Sequence, residues 1–132
     1  MNHICAAVTE IKTNEQLTLL SCCSQEHTFT IMSLELDAEL KVASKIILQC
    51  KETAIAIAKN FSGELSHTNQ LKVTIKKITI GSLLCSLELL FENNSSLESI
   101  ITAASAKKMN LAVGDDVIAL IQAHDIAIQK SL

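Results

Sequence analysis

The chain has no tryptophan, tyrosine or proline, and only 3 phenylalanines and 3 glycines in 132 residues. So few aromatics leave nucleic-acid bases almost nothing to stack on, and a net charge of −3 offers no basic face for phosphates. No uninterrupted apolar run approaches the roughly 20 residues of a membrane span. The opening Met1-Asn2-His3-Ile4-Cys5 lacks the basic region and apolar run of a signal peptide. These absences point to a cytoplasmic protein with neither nucleic acid nor membrane as partner. With so little proline and glycine, turns must rest on Asn, Asp, Ser and Glu.

What is present is aliphatic. Hydrophobic residues make up 48% of the chain and charged residues 19%, which excludes a disordered polypeptide. Ile, Leu, Ala and Val supply most of the apolar content, and branched aliphatics favour pleated strands. The five cysteines (Cys5, Cys22, Cys23, Cys50, Cys85) are odd in number and contain no C-x-x-C pair. Cys22 and Cys23 with a histidine are one candidate metal or redox site. Zinc sites need spaced ligand pairs, however, so the cysteines read as small buried hydrophobes, and no cation ligands are assigned. His3, His27, His67 and His124 are scattered, and no motif joins them to a nucleophile, so the chain does not read as an enzyme.

The sequence repeats itself. Lys51-Glu52-Thr53-Ala54-Ile55-Ala56-Ile57-Ala58-Lys59 returns 71 residues later as Gln122-Ala123-His124-Asp125-Ile126-Ala127-Ile128-Gln129-Lys130. Leu40-Lys41-Val42-Ala43 faces Leu111-Ala112-Val113-Gly114 at the same offset. At the front, Asn2-x-Ile4 with Val8 and Ile11 answers Asn69-x-Leu71 with Ile75 and Ile78, now 67 residues on. The second copy therefore carries a longer internal loop, placed around Asn93-Asn94-Ser95-Ser96.

Each copy reads as strands joined by short turns. In copy two, strands are expected over 71–79, 83–91, 97–101, 116–121 and 126–130, with Lys77 out of step in the first. Ala103 to Met109 is Ala- and Lys-rich without β-branched residues, which predicts a short helix ending near Gly114. The expected architecture is all-β: two tandem OB-like five-stranded barrel modules, each with one short helix. Module one spans 1–60, residues 61–68 hold the linker and the start of module two, and 69–132 complete it. Asn60 to Glu64 is the linker segment. Barrels this small have thin cores, so self-association is expected.

The second copy resembles the molbindins, the Mop/TOBE family of molybdate-binding modules. Ser66-His67-Thr68-Asn69-Gln70-Leu71 is similar to the family's Ser-Ala-Arg-Asn-x-Leu opening. Ile100-Ile101-Thr102-Ala103-Ala104-Ser105 is similar to its Ile-Ile-Thr-x-x-Ser. Leu111 to Ile121 resembles its Leu-x-x-Gly-x-x-Val-x-Ala-Val-Ile, and Gln122-Ala123-His124 stands where the family has Lys-Ala-Ser. The first copy follows the plan more loosely. The resemblance to tandem molbindins implies a bound molybdate or tungstate ion, no covalent cofactor, and pockets between subunits. It also implies a homo-oligomer, with a trimer favoured over a dimer.

Molybdate is a tetrahedral dianion, and a selective site for it needs donors: N–H groups, hydroxyls, amides and a cation. Thr102 and Ser105 open the predicted helix, where unpaired N–H groups favour negative charge, although a plain helix cap explains them equally. Ser66, His67, Thr68 and Asn69 are the next candidates. Thr68 stands in the family's arginine position, and Gln122 in its lysine position, so copy two has lost two cations; His67 and His124 are nearby substitutes. Ala123 lies between Gln122 and His124 in the same phrase. In copy one, Lys51 keeps the lysine and Thr53 follows it, and Lys51 is expected to complete a site whose hydroxyls come from the other copy. The alternative is a degenerate interaction or regulatory module that kept the fold and lost the ligand.

Overall fold

In a computed structural model describing residues 1–34, 39–92 and 95–129, the chain forms two five-stranded antiparallel sheets. The strands are β1 (Asn2–Asn14), β2 (Leu17–Ser24), β3 (His27–Ser33), β4 (Lys45–Cys50), β5 (Ala56–Ala58), β6 (Asn69–Ile80), β7 (Leu84–Glu92), β8 (Ser95–Thr102), β9 (Asp116–Ile121) and β10 (Ala127–Gln129). One helix, α1 (Ala103–Lys108), follows β8, and 3-10 turns at Glu52–Ala54 and Ala123–Asp125 precede β5 and β10. The all-β, two-module OB-like expectation is met. The helix expected in the first copy and the tip of the longer loop fall on 35–38 and 93–94, and Lys130 at the chain end likewise lies outside the described residues. Among the described residues no helix is long and apolar enough to cross a membrane.

Period-two alternation sets which side of each strand is buried. On β1, Asn2, Ile4, Ala6 and Val8 point inward while His3 and Cys5 stay outside. On β6, Asn69, Leu71, Val73 and Ile75 do the same. The alternation breaks at equivalent places, with a bulge between Val8 and Glu10 and another between Ile75 and Lys77. The extra residue re-aims the strand end and explains why Lys77 is out of step. The inward side chains, among them Leu20, Phe29, Ile46, Leu48, Leu87, Leu89 and Ile121, form one continuous core. Each such burial contributes roughly 1.5–3 kcal/mol. Phe29 of β3 meets Phe91 of β7 edge-on, ring centres 5.9 Å apart, so the core crosses from one copy to the other.

The sheets do not divide where the sequence repeat divides. β5, which ends copy one, pairs with β9 of copy two (Ile57 opposite Ala119). β10, which ends copy two, pairs with β4 of copy one (Ile128 opposite Leu48). Each half therefore completes the other's sheet, and the Gln49 side-chain amide donates to Gln129 Oε1 at 2.6 Å across that seam.

Two asparagines lock the exchange. Asn69, 1% exposed, accepts from the Thr30 N–H at 2.7 Å, and its amide donates to the carbonyls of Thr30 (3.0 Å) and Ile121 (3.1 Å). Asn2 does the same to Glu98 on β8, accepting from its N–H and donating to its carbonyl, both at 2.8 Å. Each amide thus mimics one peptide of a missing neighbour strand, which covers part of the open edges of β3 and β8.

The chain entering β4 and β9 makes a further repeated contact. Gly114 N–H donates to the Ile75 carbonyl and Ala43 N–H to the Val8 carbonyl, both at 2.8 Å. Both donors have left-handed backbone, φ +94° at Gly114 and +78° at Ala43. Glycine adopts this conformation without steric cost, whereas alanine is strained in it.

Two outcomes follow for stability. Ala43→Gly removes a penalty of about 1–2 kcal/mol and adds unfolded-state entropy of about 0.4–1 kcal/mol. Its urea midpoint should therefore correspond to a gain of about 0.5–1 kcal/mol, and Gly114→Ala should lose stability. Asn69→Ala leaves the Thr30 N–H and carbonyl unpaired, at about 1–3 kcal/mol each, so a loss on the order of 3 kcal/mol is expected. A loss under about 1 kcal/mol would mean that the edge finds other partners.

Candidate functional site

The repeated phrase that ends each copy forms the same turn twice. The residue opening the first turn, Lys51, has φ −71° and ψ 148°; the residue opening the second, Gln122, has φ −77° and ψ 147°. Each turn is closed by a backbone bond of 3.0 Å, from Ala54 N–H to the Lys51 carbonyl and from Asp125 N–H to the Gln122 carbonyl. Lys51, Thr53, Gln122 and His124 are exposed, while Ile55 and Ile126 anchor the turns in the core. Strand exchange decides where each turn sits. The first lies against β8 of copy two, where the buried Ser99 hydroxyl donates to the Ile55 carbonyl at 2.7 Å. The second lies against β3 of copy one.

The structure thereby sorts the eleven candidates into two groups. Lys51 and Thr53 flank β8, the strand that leads to Thr102 and Ser105. Thr102 lies three residues beyond Ser99, roughly 10 Å along the strand. Ser66, His67, Thr68 and Asn69 enter β6 beside Ile121, so they adjoin Gln122, Ala123 and His124. Among the described residues these two groups lie on different parts of the fold. At the end of β3, where the second group would find its hydroxyls, the place of Thr102 is taken by exposed Leu34.

Three individual side chains have roles that their hydrogen bonds and burial specify. Asn69 is a frame residue, because all of its side-chain bonds go to backbone groups of β3 and β9. The signal was in the sequence: the same Asn-x-aliphatic start occurs at Asn2, at the head of β1. Thr102 is a genuine cap, its hydroxyl accepting from the Ser105 N–H at 3.1 Å and donating to Ser105 Oγ at 2.8 Å. That arrangement leaves the Ser105 hydroxyl hydrogen for an outside acceptor. Ala123 is buried and can offer only backbone.

The electrostatics are uneven. Glu52, beside Lys51, pairs with the N-terminal ammonium, whose hydrogen bond holds its carboxyl below the ordinary range. Lys51 itself has no ion-pair partner among the described residues. In the second turn, the only charges are the exposed Asp125 and, when protonated, His124, at 3.8 Å from each other. The chain has 11 lysine-plus-arginine residues, and all 11 are lysine, so no arginine takes over the role lost at Thr68. Lys59, which the sequence reading passed over, is a strut. It donates to the carbonyls of Met109 (3.2 Å) and Asn110 (2.9 Å) and pairs with Asp115 at 3.2 Å. The Ala112 N–H and then Lys59 hold the Asp115 carboxyl below its ordinary value.

Cysteine burial is also divided. Cys22, Cys50 and Cys85 are buried, and burial pushes Cys22 up to about 12 and Cys50 to about 11. Cys23 is half-buried and Cys5 exposed, so the expectation of buried hydrophobes fails for these two.

Residues 65–128 match the TOBE domain family. Over 58 residues the chain is 40% identical to the molybdenum-pterin-binding protein MopA of Rhodobacter capsulatus, a match that covers 44% of this chain and 22% of MopA. The match thus spans under a quarter of that relative's length. The fold superposes on the cytoplasmic molybdate-binding protein ModG, solved with molybdate bound, with a TM-score of 0.91 and 19% identity over 96% of this chain and 94% of ModG. Residues 65–128 therefore form a TOBE-type half, and the chain as a whole shares the fold of ModG.

Proposed function

We propose that the chain is a cytoplasmic molybdate- or tungstate-binding protein that serves storage or homeostasis of the ion and is not an enzyme. The observation that carries this reading is the pair of congruent exchanged turns, each delivering an exposed side chain of one copy to a strand of the other. That arrangement concentrates N–H, hydroxyl and amide donors between modules, which is what a tetrahedral dianion requires. The likeness to MopA and ModG supports the choice of ion. The repeat units 1–60 and 69–132, joined through 61–68, are taken as the modules.

Within this reading the two regions are unequal. The first has a cation (Lys51), Thr53, and the Thr102–Ser105 hydroxyls on the adjoining strand. The second has Ser66, His67, Thr68, Gln122, the Ala123 N–H and His124, with Asn69 holding the frame. A dianion gains more from an ammonium than from an amide, so the Lys51 region is the tighter one. Because the candidates stop short of converging within one chain, the sites are completed between copies in a homo-oligomer, a trimer in preference to a dimer. Matched exposed valines, Val42 (58%) and Val113 (64%), support surfaces that meet another copy. The alternative, an interaction module without ligand, draws on the Gln122 and Thr68 substitutions.

A melting screen across molybdate, tungstate, sulfate and phosphate tests the reading. Ligand at 100 times its dissociation constant adds about 2.7 kcal/mol to stability, so molybdate and tungstate should raise the midpoint clearly. Lys51→Met should abolish most of the shift and Gln122→Lys should enlarge it, while light scattering should give three times 14.3 kDa. No shift with millimolar concentrations of any oxyanion would leave the interaction-module reading in place.

A further inference from the structure

Three of the five thiols belong to the core, and the two that do not, Cys5 and Cys23, line the same cavity of about 450 Å³, bounded by β1, β2 and β4 of the first sheet and by Phe91 and Leu97 of the second. We infer that this pair is a binding site for a soft monovalent cation of the Cu(I) class. The site is independent of the oxyanion regions.

The register makes the two cysteines cross-strand neighbours. Ala7 of β1 lies opposite Cys23 of β2, and Cys5 is two residues from Ala7, on the same outward face. Cys5 and Cys23 are thus diagonal cross-strand neighbours, at a spacing on the order of 7 Å between backbones and less between side chains. With metal–sulfur bonds of about 2.3 Å, one ion spans sulfurs about 4.6 Å apart, which two facing thiols on such a diagonal reach. The Cys23 thiol donates to the Gln25 carbonyl at 3.5 Å, and Gln25 lines the same cavity.

The ligand set chooses the ion. Among the described residues no group of three or more His, Cys, Asp or Glu is placed to hold a metal. Zinc, which needs four ligands, therefore does not fit, and calcium or magnesium would need oxygens. Two thiolates satisfy a soft ion that accepts two ligands. Lys45, opposite Ala7 on β4, borders the cavity and offsets the negative charge of a bis-thiolate complex. The buried cysteines do not compete, since their thiols are desolvated and held protonated.

Anaerobic titration of the full chain with Cu(I) held by a chromophoric chelator tests the inference. The wild type should withdraw one ion per chain, with a thiolate-to-copper absorption in the near ultraviolet. Cys5→Ser and Cys23→Ser, each checked for an unchanged melting temperature, should each weaken binding by at least about tenfold. Bound copper should also protect Cys5 and Cys23 together from iodoacetamide. If either variant binds copper as the wild type does, or if copper leaves the two thiols as reactive as before, the site does not exist.

Discussion

The organisation of this molecule rests on a geometric exchange of three residues each way. β5 and β10 are too short to stand alone, and each forms its ladder only on a strand of the other copy. The chain must therefore cross between sheets twice, and each crossing is made by one of the 3-10 turns. The turns cannot move without lifting β5 or β10 from its partner. That places the most chemically equipped residues of the sequence on a rigid, shared part of the fold, which is how a binding constellation is held in place.

Two copies in one chain can diverge where identical subunits cannot. Lys51 against Gln122, Thr102 against Leu34 and Gly114 against Ala43 are three such divergences, each at matched backbone positions. The first two unbalance the two candidate regions chemically. The third leaves strain in copy one that copy two avoids. The same freedom explains how Cys5 and Cys23 stand on an outer face whose counterparts in copy two, Lys72 and Leu90, carry no thiol.

Much of this was legible in the sequence because period-two alternation and a repeated phrase are local signals. The strands of copy two matched the alternating runs to within two residues, and even the out-of-step Lys77 marked a real bulge. The exchange was not legible. Ala56-Ile57-Ala58 and Ala127-Ile128-Gln129 look alike, so nothing in their composition says which sheet either joins, and contiguity favours the wrong one. Asn69 was less legible, because asparagine before a strand resembles a loop donor, while burial at the strand's first inward position makes it a frame. Thr102 and Ser105 showed a cap and a candidate donor with equal force, and the hydrogen bonds assign the cap while leaving one hydroxyl hydrogen outside it.

The central claim is that the halves are interlocked and fold as one body. Differential scanning calorimetry measures this directly. A single transition with equal calorimetric and van't Hoff enthalpies per cooperative unit is expected if exchanged strands bind both sheets into one unit. Two resolved transitions, each matching the melting of a separately expressed half, would contradict it.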